Sequence, residues 1–77
     1  MTNNNLGTLI VLMRKQMDEQ YSYRFTRDII ISNVRDELTQ SYMDEMQDIA
    51  DDSNKELEDV LDIIMDGVTD FYDKHYE

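Results

Sequence analysis

The C-terminal third of the chain, from Ser53 to Glu77, carries the pattern that most constrains the fold. Its apolar side chains recur at intervals of three and four residues, which is the repeat of one face of an α-helix. This face consists of Leu57, Val60, Leu61, Ile64, Val68, Phe71, Tyr72 and His75. Ser53 and Glu56 match the S-x-x-E capping box that marks a helix start. The pattern predicts one amphipathic helix over residues 53–76.

Six acidic residues lie on the opposite side of this helix, in a sector about 80° wide that contains no basic residue. We call them the acidic ridge: Asp59, Asp62, Asp66, Asp70, Asp73 and Glu77. A charged helix face often serves only as the solvated side of an amphipathic helix. Like charges four residues apart, however, each cost a few tenths of a kcal/mol, roughly, and they recur here. Their repetition favours a functional role for the ridge.

The N-terminal segment predicts a helix over residues 6–21, after a frayed lead over residues 1–5. Leu9 to Met13 is apolar nearly all round, which is typical of a helix buried on more than one side. The segment therefore either lies between the other helices or forms a self-association surface. We predict a homodimer with an interface formed by Leu9, Ile10, Val11, Leu12 and Met13. A short buried strand is the alternative, since periodicity over five residues does not separate the two.

A middle helix is predicted over residues 26–50, with Thr26 as its N-cap. Its apolar face comprises Ile30, Ile31, Val34, Leu38, Tyr42, Met46 and Ile49. A second acidic edge, in a sector about 60° wide, comprises Glu37, Asp44, Asp48 and Asp51. The fold class predicted is all-α: a single domain of three helices with antiparallel neighbours, because the connections are short. Gly67 lies inside the last helix, where it indicates a kink or a close backbone approach.

The charge is distributed unevenly along the 77 residues. Residues 1–35 contain five bases and three acids, for a net charge of +2, whereas residues 36–77 contain two bases and fifteen acids, for −13. The total of −11 repels nucleic acid and anionic membranes and attracts basic protein surfaces. No cysteine is present, and the longest apolar run, Leu9 to Met13, is far too short for a membrane span. We expect a cytoplasmic protein that binds neither nucleic acid nor membranes.

Motifs for catalysis or metal binding are lacking in the sequence. An EF-hand frame that starts at Asp52 places Leu57 at the position that requires glycine. The single histidine, His75, has no Glu-x-x-His partner and is interpreted as closing the end of the core. Tyr21, Tyr23 and Phe25 could stack on the bases of a single strand, but the net charge favours a structural role. The prediction is a non-enzymatic protein without metal or cofactor.

The acidic half, Asp36 to Glu77, resembles the small acidic proteins with which phages inhibit host machinery. The likeness lies in length, in a preference for Asp over Glu, in the absence of Cys and Pro and in acids placed on helices. This group includes DNA mimics, and inhibitors that plug the DNA channel of a replication sliding clamp are similar in size and charge. The resemblance rests on no fixed motif. It implies inhibition through occupation of a DNA-binding surface.

This implied function sets the predicted partner-binding residues: the acidic ridge, the four acids of the middle helix, and Ile63 beside the ridge. Duplex DNA presents one charge per roughly 1.7 Å, whereas one acidic helix presents about one per 5.4 Å, so only a dimer approaches the density of DNA. The alternative is a helical protein–protein interaction module, such as an acidic antitoxin or adaptor. In that case the apolar residues off the core faces, Ile29, Met43 and Ile63, would matter more than charge.

Overall fold

The computed structural model describes residues 4–76, with the side chains of Asn4 and Asn5 left aside. It contains four α-helices: α1 (Asn4–Ser22), α2 (Arg27–Ser41), α3 (Met43–Ser53) and α4 (Leu57–Tyr76). No strand occurs in this part of the chain, so the all-α prediction is confirmed and the strand alternative for Leu9–Met13 is wrong. The predicted frayed lead lies mostly outside the described residues, although Asn4 and Asn5 already belong to α1.

The prediction of three helices is wrong, because the middle helix is broken at Tyr42. This residue has φ −126° and ψ 22°, and it ends α2 and begins α3. Its N–H still donates to Leu38 O at 3.1 Å, and its carbonyl accepts from Met46 N at 3.0 Å. Just before the break, the hydroxyl of Thr39 donates to the carbonyls of Arg35 and Asp36, a local bond that bends helices.

The break has a geometric cause in the spacing of the buried residues. Positions four apart advance about 40° around a straight helix beyond a full turn. Five such steps separate Ile30 from Ala50, so on an unbroken helix these two side chains would point about 200° apart. Both are fully buried. The change of direction at Tyr42 allows each half of the segment to face the same core.

The predicted capping box at Ser53 is also wrong, because Ser53 is the last residue of α3 rather than the cap of the next helix. Asn54 follows in the left-handed region at φ 56°. The N–H of Asn54 donates to Asp51 O and that of Lys55 to Ala50 O, which is the Schellman pattern of a helix end. The cap of α4 lies three residues later than predicted, where Glu56 N donates to a carboxylate oxygen of Asp59 at 3.4 Å.

The helices form an up–down–up bundle in which α2 and α3 together are the middle limb. Helices α1 and α4 run parallel, since Ile10 lies over Gly67 and the guanidinium of Arg14 over Phe71, one turn further along each helix. Helix α2 runs antiparallel to α4, because Arg27 at its start bonds Asp73 near the end of α4. Helix α2 is therefore antiparallel to both α1 and α4. The molecule measures 37 × 22 × 16 Å.

A single apolar core fills the space between the four helices. None of the described polar or charged residues is buried. The buried side chains are Leu9, Met13, Met17, Ile30, Val34, Leu38, Met46, Ala50, Val60, Leu61, Ile64, Met65, Val68 and Tyr72. No helix among residues 4–76 has the length and apolar character required to cross a membrane.

Candidate protein-binding surface

The acidic ridge lies on the solvent side of α4. Its members from Asp59 to Asp73 are all exposed, opposite the buried Val60, Ile64 and Val68. The first and last of these five acids are fourteen residue steps apart, or about 21 Å of helix, which gives about one carboxylate per 5 Å. Glu77, the sixth predicted member, lies outside the described residues. The ridge is thus a straight line of charge along one edge of the bundle.

Cations reach the C-terminal part of the ridge. Two nitrogens of Arg27 donate to the two carboxylate oxygens of Asp73, at 2.9 and 3.3 Å. Lys74 pairs with Asp70 at 3.2 Å. By contrast, Asp62 and Asp66 have no ion pair or side-chain hydrogen bond within residues 4–76. The uncompensated charge of the ridge is therefore concentrated in the N-terminal half of α4.

The break at Tyr42 divides the second acidic edge. Glu37 belongs to α2 and is half-buried, whereas Asp44, Asp48 and Asp51 are exposed on α3. Among these three, Asp51 accepts a hydrogen bond from the amide nitrogen of Gln47 at 3.0 Å. The sequence pattern had predicted that the four acids lie on one straight helix. In the structure they lie on two helices, so this prediction is wrong.

Helix α3 and the first half of α4 form the most acidic part of the molecule. Residues 43–53 contain five acids and residues 57–66 contain four, and neither segment contains a base. The two helices are joined by the turn at 54–56 and pack against each other. All nine acidic residues are exposed. We call these nine residues the acidic face: Asp44, Glu45, Asp48, Asp51, Asp52, Glu58, Asp59, Asp62 and Asp66.

The segment predicted as a dimer interface is largely internal to the protomer. Leu9 and Met13 are core residues, 3% and 0% exposed, and Ile10 and Leu12 pack against the core while partly covered. Val11 is 50% exposed. The central position explains why the segment is apolar nearly all round. Self-association stays a prediction, and Val11 is the member of the segment that presents apolar surface to solvent.

Aromatic side chains close the end of the bundle where α1 and α4 finish. The ring of Tyr21 stacks on Tyr76 at 4.1 Å between centroids and meets Tyr72 edge to face. His75 is exposed rather than buried, and it stacks on Phe71 with its Nδ1–H donating to the Phe71 carbonyl. These contacts give Tyr21 and His75 structural roles. Tyr23 and Phe25, in the connection to α2, keep exposed rings.

A groove opens between α2, α3 and α4 beside the acidic face. It has a volume of about 320 Å³ and is lined by Thr39, Met43, Met46, Leu57, Glu58 and Leu61. Sequence reasoning missed it, because its walls depend on the break at Tyr42 and on the turn at Asn54. The one available signal was Met43, an apolar residue off the main face of the predicted middle helix. Met43 is 44% exposed.

The chemistry that this surface offers is charge and apolar contact. Within residues 4–76, no three acidic or histidine side chains converge to hold a metal ion. Ile63, predicted as a partner-binding residue, is 39% exposed and available for contact.

Comparison of the chain with protein-family models, curated proteins and solved structures found no match.

Proposed function

We propose that the protein is a non-enzymatic inhibitor whose acidic face and ridge bind the basic DNA-binding surface of a DNA-handling protein, in the manner of a DNA mimic. A replication sliding clamp of a bacterial host is one such target. The observation that supports this proposal is the acidic face: nine exposed acids on two packed helices that contain no base from Met43 to Ser53 or from Leu57 to Asp66, with Lys55 as the one base in the turn between them. Such a surface raises association rates with basic proteins and repels acidic ones.

The spacing of the acids bears on what the surface can imitate. One carboxylate per about 5 Å on α4 is roughly a third of the charge density of duplex DNA. Two ridge members also have cationic partners, Arg27 and Lys74. The acids of α3 add a second row beside the first. A homodimer would present four acidic helices, and we include dimer formation in the proposal for this reason.

Charge reversal on the ridge tests the proposal. Immobilised protein would be used to capture its partner from a bacterial lysate, followed by salt-step elution and identification. With the purified partner, the Asp62→Lys, Asp66→Lys, Asp70→Lys variant should bind at least about a hundredfold more weakly than the parent, as loss of several interfacial charge pairs implies. Excess duplex DNA should compete with the parent protein for the partner.

The matched control reverses three acids elsewhere, Asp18, Glu19 and Asp28, which are exposed on α1 and α2. Both variants change the net charge by the same amount, from −11 to −5. The control should bind nearly as well as the parent. If the ridge variant binds like the parent, or if DNA does not compete, the mimic proposal is wrong.

A helical interaction module is the second candidate, and the exposed apolar groove favours it. Salt separates the two functions. Binding driven by a ridge of charge weakens steeply as ionic strength rises, whereas binding driven by apolar contact does not.

A further inference from the structure

The groove between α2, α3 and α4 has an apolar floor that is mostly buried, with Met46 0% and Leu61 8% exposed, and it opens to solvent beside Met43. Met46, Leu57 and Leu61 form part of this floor, and Met43 at the start of α3 is 44% exposed. A volume of about 320 Å³ is at the lower end of the roughly 300–1,000 Å³ of small-molecule sites, so it takes a few side chains rather than a whole helix. Methionine adapts its shape to different apolar partners.

Acidic residues outnumber bases among the charged residues next to the groove lining in the sequence. Glu58 lines it directly, and Asp44 and Glu45 follow Met43 in the chain. The bases nearest to the lining in the sequence are Arg35, four residues before Thr39, and Lys55, two residues before Leu57. Helix α3 contains no basic residue, and the first one in α4 is Lys74, near its C-terminal end. A partner with an apolar side chain and positive charges beside it would make apolar contacts with the floor and ion pairs with the surrounding acids. An acidic or neutral partner would make the apolar contacts alone.

We infer that this groove is a second binding site for an amphipathic helix whose apolar stripe is flanked by Lys and Arg. The groove holds apolar side chains of that helix, and the body of the helix lies outside it. The stripe places one or two apolar side chains between Met43 and Leu61. Basic residues on either side of the stripe meet Glu58 and the neighbouring acids. A helix fits because its apolar side chains, at positions i, i+3 and i+4, lie on one side while its flanks stay charged.

This site shares Asp44, Glu45 and Glu58 with the acidic face, but it does not rest on the acidic ridge. The floor of the groove lies on the core side of α4, at Leu57 and Leu61, whereas Asp62, Asp66 and Asp70 lie on its solvent side. A target recognised by charge density alone needs no apolar anchor. A target recognised through the groove needs the anchor and its pattern, and the two modes therefore respond to different substitutions.

A synthetic peptide of leucine and lysine, with leucines at helical spacing, serves as the probe. Its control is a peptide of identical composition in which the leucines are scattered around the helix. Fluorescence anisotropy should show that the patterned peptide binds at least about tenfold more tightly than the scattered one, the difference expected for loss of a central apolar anchor. In amide NMR spectra, the shifts should be confined to the residues around Thr39, Met43, Leu57 and Leu61.

Two pairs of variants locate the site on exposed residues, whose replacement leaves the core intact. Met43→Ser should weaken binding of the patterned peptide about tenfold, while Ile29→Ser, which also truncates a half-exposed apolar side chain, should leave it unchanged. Glu58→Lys should weaken binding more than Asp66→Lys, which makes the same change in charge on the same helix away from the groove.

Several results would overturn the inference. Equal binding of the two peptides would show that charge alone attracts them. Shifts centred on the ridge, or equal effects of Met43→Ser and Ile29→Ser, would place the contact elsewhere. Sedimentation analysis that shows a dimer abolished by Met43→Ser would make a second copy of this chain the occupant. If the ridge reversal abolishes capture of the cellular partner and leaves peptide binding intact, the two sites are independent, as inferred.

Discussion

Replacement of Gly67 by alanine should stabilise the protein. Gly67 lies in the middle of α4, where the helix is continuous from Leu57 to Tyr76. A Cβ placed on it would meet the side chain of Ile10 in α1, with the nearest atom, Cδ1, at 3.6 Å. This distance is ordinary van der Waals contact. The added methyl group therefore fits without displacing its neighbour.

The size of the gain follows from two terms. Alanine is more favourable than glycine in a helix interior by about 0.8–1.0 kcal/mol. The methyl group is also partly covered by Ile10, which adds a fraction of the roughly 0.8 kcal/mol of a buried CH₂. We expect the free energy of unfolding to rise by about 1–1.5 kcal/mol. For a domain of this length, each kcal/mol raises Tm by about 4–8 °C.

Urea denaturation followed by circular dichroism measures the change, with Gly7→Ala as the matched control. Gly7 lies near the start of α1, and a Cβ there would have nothing within 4 Å. Its replacement lacks the contact term, and fraying near the helix end reduces the propensity term, so the gain should be about half or less. A larger change, Gly67→Leu, should reverse the sign and cost about 1–3 kcal/mol through overpacking against Ile10.

A destabilising effect of Gly67→Ala would refute this reasoning. It would mean that α1 and α4 approach each other more closely than Ile10 and Gly67 indicate. A gain at Gly7 equal to that at Gly67 would show that the contact with Ile10 contributes nothing.

Three further outcomes are expected. Arg27→Met should lower the free energy of unfolding by about 0.2–1 kcal/mol at low salt and by less at high salt, because the pair with Asp73 is partly exposed; urea titrations at two ionic strengths check this. Arg24→Gly should stabilise by up to about 1 kcal/mol, since Arg24 has φ 69°, whereas Asn54→Gly should be nearly neutral because Asn adopts this conformation readily; thermal melts compare them. Sedimentation should show a dimer for the parent and a monomer for Val11→Glu. If both proteins sediment as dimers, Val11 does not contribute to the interface, and if both are monomers, the predicted dimer is wrong.

Periodicity was sufficient to predict the helices but not where the middle one breaks. The four-residue spacing from Ile30 to Ala50 looks like one face over a few turns, and its drift becomes decisive only over the full length. The stop signal at Asn54 was present in the sequence. The S-x-x-E pattern of Ser53 and Glu56 was interpreted as a helix start instead, although the same residues are compatible with a helix that ends at Ser53. Local signals of this kind compete, and tertiary packing decides between them.

The acids of the candidate surface were predictable from helical spacing, but their partners were not. Lys74 is four residues from Asp70, so that pair is legible in the sequence. Arg27 is 46 positions away from Asp73, and only the packing of α2 on α4 brings them together. The groove at Met43 has the same origin, because its lining comes from three helices. Features made by distant segments require the fold before they can be seen.

The parallel pairing of α1 with α4 brings together segments that lie far apart in the sequence. Ile10 and Gly67 are 57 positions apart, so this contact closes a long loop, at an entropy cost that grows with the logarithm of the loop length. Helix α4 also provides six of the fourteen buried apolar side chains. During synthesis, the apolar faces of α1, α2 and α3 therefore stay partly exposed until α4 has been made. We expect these four helices to complete their folding only after α4 has left the ribosome, and a nascent chain that stops before Leu57 to be cleared by proteases.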